Sequence, residues 1–243
     1  MSDVPLRSFG LVVLLVLTVI GLSGLIVGIS VIIHTGATTA DSERIADEIS
    51  QVLSPDQTGP QHHTINIGDG EIESEPRTIR VLDGTKDDSD DRTANVLYRH
   101  DGEALQYQLD NHGVTASTGA VILETRSGAS MYQPPQITPD FGTHELITLT
   151  DLSAVETSDN TNSLLELQVS NDYERYNLST RDRKVAIETR YPDLWSEYLA
   201  TRGFDSVTEL RFGDDEYPSV VAQLDQERPS EVLIHEITLE EQQ

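Results

Sequence analysis

The chain has no cysteine, which removes disulfides, thiolate chemistry and every lipid anchor that needs a cysteine. Lysine is nearly missing too: Lys86 and Lys184 are the only two, against fourteen arginines. Positive charge of either kind is scarce, 16 Lys and Arg facing 42 Asp and Glu, for a formal net charge of −26. No basic stripe is present to meet phosphates, so nucleic acid is excluded as an expected partner. Acidity alone would not remove lysine. Dispersed carboxylates with so little lysine point to adaptation to multimolar salt, where a Debye length of about 3 Å or less screens self-repulsion. The charge is therefore read as a response to solvent and not as the footprint of a cationic ligand.

What the chain does have is an apolar run. Ser8 to Ile33, 26 residues dominated by Leu, Val and Ile, carries no charged side chain. About 20 such residues cross a hydrocarbon core of roughly 30 Å. A cleavable signal has a shorter apolar stretch, about 7–15 residues. Ala37-Thr38-Thr39-Ala40 resembles a small-residue cleavage site, yet the length of the run favours a retained anchor. Residues 1–34 are thus expected to be a short tail and transmembrane helix in the lipid bilayer. Arg7 before the run and Arg44 after it nearly balance, and the shortness of the leading tail favours a body outside the membrane. Asn177-Leu178-Ser179 is an N-glycosylation sequon consistent with that side. Within the run, Gly24 and Gly28 form a small-xxx-small pair with Gly21 one turn earlier, the pattern that lets membrane helices approach closely.

After the anchor, Ile45, Ile49, Val52 and Leu53 recur at helical spacing, with Asp41, Glu43, Asp47 and Glu48 off the stripe. Residues 35–55 are expected to be an amphipathic helix ended by Ser54-Pro55, its stripe offered to a globular body. Residues 56–63 read as a linker. From there to residue 243 the period changes to two. Strands are expected at Thr64–Ile67, Thr78–Leu82, Asn95–Tyr98, Ala104–Leu109, Ala120–Thr125, Glu145–Leu149, Leu164–Val169, Val185–Thr189, Val207–Phe212, Ser219–Leu224 and Glu231–Leu239. Asp69-Gly70, Asp83-Gly84, Asp101-Gly102, His112-Gly113 and Gly213-Asp214 read as turns between them, with Tyr98–Leu105 the sharpest hairpin signal. Short connections imply antiparallel sheets. Tyr191–Gly203 reads as one helix, with Pro192 in its first turn and Gly203 at its exit. Its rings, including Trp195, the only Trp, are expected to fill core. The fold class is α+β.

Site chemistry is thin. Asp83, Asp87, Asp88, Asp90 and Asp91 cluster, but without the order of a calcium loop, and read as a solvated hairpin tip. His62 and His63 are adjacent and point opposite ways in an extended chain, and no third ligand accompanies them. No nucleophile-elbow, zinc-protease, P-loop or dinucleotide motif occurs. No catalytic, cofactor-binding or metal residue is assigned, and no small-molecule ligand is identified.

An apolar N-terminal helix, an amphipathic extension and a β-rich body resemble the layout of type IV pilin-like proteins. The chain resembles more closely an uncharacterised haloarchaeal family of pilin-like membrane proteins. The likeness rests on that order and on two stretches. One is Gly128–Ile137 followed by His144–Leu152; the other is Val185–Tyr191 leading into the Trp195 helix. No Glu follows Gly10, so the likeness does not extend to the archaeal prepilin processing site. It implies an architecture and a location, not a chemistry; the leading expectation is a membrane-anchored, non-enzymatic cell-surface protein whose partners are other pilin-like or envelope proteins. The rival expectations are a solitary anchored binding or sensor domain and an ectoenzyme using acidic residues.

Overall fold

The computed structural model describes residues 40–53, 61–84, 96–135, 137–141, 144–153, 164–178, 183–204, 206–213, 215–224 and 230–241. The run Ser8–Ile33 and its glycines Gly21, Gly24 and Gly28 lie outside them. Among the described residues no helix is long and apolar enough to cross a membrane. The chain divides into two units, Met1–Asp41 and Ser42–Gln243. The second unit is α+β. It holds almost all of the first helix, α1 (residues 40–52), so this helix is part of the body's own packing.

The body is built on β1 (Gln61–Asn66), β2 (Glu71–Asp83), β3 (Val96–Leu109), β4 (His112–Ser117), β5 (Ala120–Thr125), β6 (Gly128–Gln133) and β7 (Ile137–Phe141). It continues with β8 (His144–Ser153), β9 (Leu164–Leu178), β10 (Arg183–Glu188), helix α2 (Pro192–Thr201), β11 (Val207–Leu210), β12 (Ser219–Gln223) and β13 (Ser230–Glu241). The strands join in one sheet of order β1-β9-β13-β8-β3-β2-β10-β12-β11. A branch, β4-β5-β6, leaves the far edge of β3, where Leu105–Leu109 pair with β4, while Glu103 meets Leu152 of β8. Pairing is antiparallel except between β8 and β13, which run parallel over Glu145–Ser153. A purely antiparallel sheet was the expectation. The exception follows from the long excursion between β8 and β13, which lets the chain return in the same direction.

Three local expectations are corrected. Asp101-Gly102 is not a turn: β3 runs straight through it, and the strands expected at Asn95–Tyr98 and Ala104–Leu109 are one. Asp101 and Gly102 pair with Thr78 and Arg77 of β2, and the Asp101 carboxylate accepts from Arg99 at 2.7 Å and Thr78 at 3.2 Å. A long partner strand thus outweighs the local turn signal. His112-Gly113 begins β4, and the turn lies one step earlier, at Asp110 with φ 54°. Strands β4, β6 and β7 had no counterpart in the periodicity. β4 is buried along its whole length, so it shows no alternation.

The β4–β5 hairpin explains the layering. Its two-residue turn, Thr118-Gly119, has positive φ at both positions (56° and 81°), the geometry that matches strand twist. Successive side chains face opposite sides of the sheet. Val114, Ala116, Val121 and Leu123 join a core with α1, whereas Ala120 and Ile122 join a second core with α2. One hairpin is therefore covered on each face by a different helix. α2 begins with Pro192 at its first turn and ends at Gly203 (φ 91°), with Phe204 N–H donating to Leu199 O at 3.3 Å and Phe204 buried.

Candidate functional site

The stripe on α1 has a seat. Ile45, Ile49, Val52 and Leu53, with Ala46, are 0–3 % exposed. They share a core with Ile65 of β1, Ile72 of β2, Leu105 and Tyr107 of β3, Leu152 of β8 and Ile237 of β13, besides the β4–β5 residues. Gly70 is needed here, because a Cβ would come within 2.2 Å of the Tyr107 ring. Arg44 holds the outer flank, pairing with Glu48 at 2.8 Å and donating to Asn66 O at the end of β1. Glu43, Asp47 and Gln51 remain exposed. At roughly 1.5–3 kcal/mol per fully buried aliphatic side chain, the stripe is a large share of what a domain of this size keeps as net stability.

The second helix leaves space. Trp195 and Leu199 are fully buried in the other core, but between α2 and the edge strand β6 lies a groove of about 570 Å³. Ala129, Ser130, Met131 and Pro134 form one wall; Leu194, Glu197, Tyr198, Thr201 and Arg202 form the other. Tyr198 donates its hydroxyl to Pro135 O at 2.6 Å, and Arg202 lies over the Tyr198 ring at 5.2 Å. At the opposite end the Tyr191 hydroxyl donates to Glu124 and meets Thr115 Oγ1 at 3.2 Å. Burial, reinforced by the hydrogen bond to the Glu124 carboxylate, pushes the Tyr191 phenol above its ordinary range.

A third cluster pins the segment between β11 and β12. Arg80, wholly buried, makes a bidentate pair with Asp215 and stacks on Phe212 at 4.3 Å, while Ser219 donates to the same carboxylate at 3.1 Å. Buried Glu188 accepts from the backbone N–H of Thr78, Glu216 and Tyr217 at 2.9–3.0 Å. These carboxylates are taken up by the fold. Periodicity could not reveal them, because an Arg or Glu in a strand pattern reads as solvent-facing. His235 is buried in β13, and burial pushes its imidazole below the ordinary range. Among the described residues no three His, Asp or Glu side chains are grouped to hold a metal ion. Asp83 closes β2 and faces Arg183 at 3.5 Å; the rest of the acidic cluster lies outside the described residues. Asn177 of the sequon sits within β9, opposite Glu231 of β13.

The stretches quoted for the family likeness fall on named parts of this architecture. Gly128–Ile137 is β6 and its exit, His144–Leu152 is β8, and Val185–Tyr191 is β10 leading to α2. Of these, Gly128–Ile137 supplies one wall of the α2 groove, while Leu149, Val185 and Ile187 join the core that Trp195 enters. No curated protein and no solved structure matches the chain. A family described as of unknown function, DUF7289, matches residues 7–240, from the edge of the apolar run to the last strand, and the chain belongs to that family.

Proposed function

We propose that the chain is a membrane-anchored, pilin-like subunit of the cell envelope, structural and not catalytic, which associates with other pilin-like or envelope proteins. One observation carries this reading. The helix that follows the 26-residue uncharged run in sequence is no free stalk: its apolar stripe is core, 0–3 % exposed. A body whose own core includes the helix that follows the uncharged run in sequence suits a subunit of pilin-like layout, which a free stalk would not. In addition, Asp215, Glu188 and Glu124 are engaged by internal partners, which leaves them poorly suited to acid–base chemistry. The groove beside α2 favours a second reading, a solitary anchored binding domain.

The test is fractionation of intact protein from its host. We expect the chain to stay with membranes through high-salt and carbonate washing, and to carry co-purifying envelope proteins that Gly24→Ile with Gly28→Ile removes. A soluble product starting near residue 41 would overturn the anchor. Retention on membranes with no partner, in parent and variant alike, would leave the solitary binding domain in its place.

A further inference from the structure

Four strands have a single ladder partner among the described residues: β1, β6, β7 and β11. Exposed edges invite pairing, and proteins blunt them with charge or proline. β7 carries Pro139 and Asp140, and β11 carries Glu209. β6, Gly-Ala-Ser-Met-Tyr-Gln, carries neither, and it lies in an uncharged stretch of 13 residues, Ser127–Pro139, of a chain with net charge −26. β1 is uncharged as well, but β6 presents Tyr132, 43 % exposed, with Leu97 one of two exposed large hydrophobics among the described residues.

We infer that β6 is a self-pairing edge: it joins β6 of a second copy, antiparallel about a two-fold axis, with α2 alongside. The occupant follows from charge. Over most of its surface a second copy would have to bury carboxylates without partners, a desolvation cost that salt does not screen, whereas an uncharged edge lets two backbones meet without it. The polarity of the site adds complementarity. Glu124, which binds Tyr191 at the start of α2, pairs with Ala129, and Tyr198 binds Pro135, so α2 runs in the same direction as β6. Antiparallel self-pairing brings exposed Arg126, at the head of one β6, towards exposed Glu197 on the other copy's α2, and the reverse. Neither makes an ion pair among the described residues. Two β6 edges joined this way bury both copies of an edge that carries neither charge nor proline and presents an exposed ring, and the closed two-fold contact leaves no further β6 edge to recruit. This deepens the assembly reading and rests on it by naming the body's contact.

The absence of native cysteine gives a direct test on the full chain, solubilised in mild detergent at molar salt. Ser130→Cys, on the exposed face of β6, should give a disulfide-linked dimer under mild oxidation. Thr208→Cys, exposed on the edge strand β11, should not. Adding Tyr132→Asp to the Ser130→Cys chain should lower the dimer yield about tenfold by setting an unpaired carboxylate into each copy's side of the joined edge, with an unchanged melting profile because both side chains are exposed. Equal yields from Ser130→Cys and Thr208→Cys, or no effect of Tyr132→Asp, would overturn the proposal. A cross-link to a protein of another mass would overturn self-pairing in favour of a different subunit. Loss of the protein from washed membranes would break the anchor reading alone, since the cross-link is read in detergent and reports on β6.

Discussion

The two helices cover opposite faces of the same hairpin, and they do it differently. α1 buries Ser42, Ile45, Ala46, Ile49 and Val52 within 13 helical residues, and its charged side chains stay on the outer face. α2 buries Trp195 and Leu199 and leaves Leu194 and Tyr198 half-exposed on a groove. The first helix is therefore an internal part of the body. The second is seated by Trp195 and Leu199 alone among its helical residues, with room beside it. A narrow stripe seats a helix firmly when the facing side chains come from many strands, because each methylene then finds close-packed partners.

The largest effect that would break this contrast is a double truncation on α1. Ile45→Ala with Ile49→Ala removes two fully seated side chains and should cost about 4–8 kcal/mol, enough to unfold the body. Denaturant titration of the full chain at molar salt reads it. An unchanged midpoint would make α1 a tether and remove the main support for a pilin-like build. Next, Trp195→Ala should cost about 3–5 kcal/mol through the cavity it leaves, measured the same way. A smaller loss than that would mean that α2 collapses into the space its groove already provides.

The smallest effect concerns the polar end of α2. Tyr191→Phe removes the hydroxyl that Glu124 accepts and should cost about 1–2 kcal/mol near neutral pH. It should also change the alkaline limb of stability. The folded chain holds the Tyr191 proton above the pH, about 10, at which an unfolded tyrosine loses it. That contribution is present below pH 10 and is withdrawn as pH rises towards the folded value. Tyr191→Phe should therefore lose stability less steeply above pH 10. Parallel declines in parent and variant would mean that the phenol is not buried as described.

Much of the body was legible in its residues, and the failures have local causes. The α1 stripe stood out because four aliphatic residues recur at helical spacing among carboxylates. β5, β10 and β12 could be read because each carries enough Val, Ile, Leu or Ala between turn residues, and α2 because Pro192 opens it, Gly203 closes it and its apolar residues share a face. β6 escaped because its small and polar residues hardly alternate. Asp101-Gly102 misled because a turn dipeptide has the same local preference whether or not a long neighbour waits to pair with it. The groove and the Arg80–Asp215 and Glu188 clusters could not be read from spacing. Their members come from segments far apart in the chain, as Arg80 and Asp215 do.

The sequence by itself determined the acidic, cysteine-free chemistry, the uncharged run, the helical stripe and the change to period two at the body. These are properties of neighbours along the chain, set by side-chain type and spacing. Only the tertiary structure decided that β3 is one strand, that β8 and β13 run parallel and that two helices take opposite faces of one hairpin. It alone decided that β6 has a single ladder partner among the described residues. Those outcomes depend on which distant strand supplies the missing hydrogen bonds, and a backbone N–H carries no record of its partner.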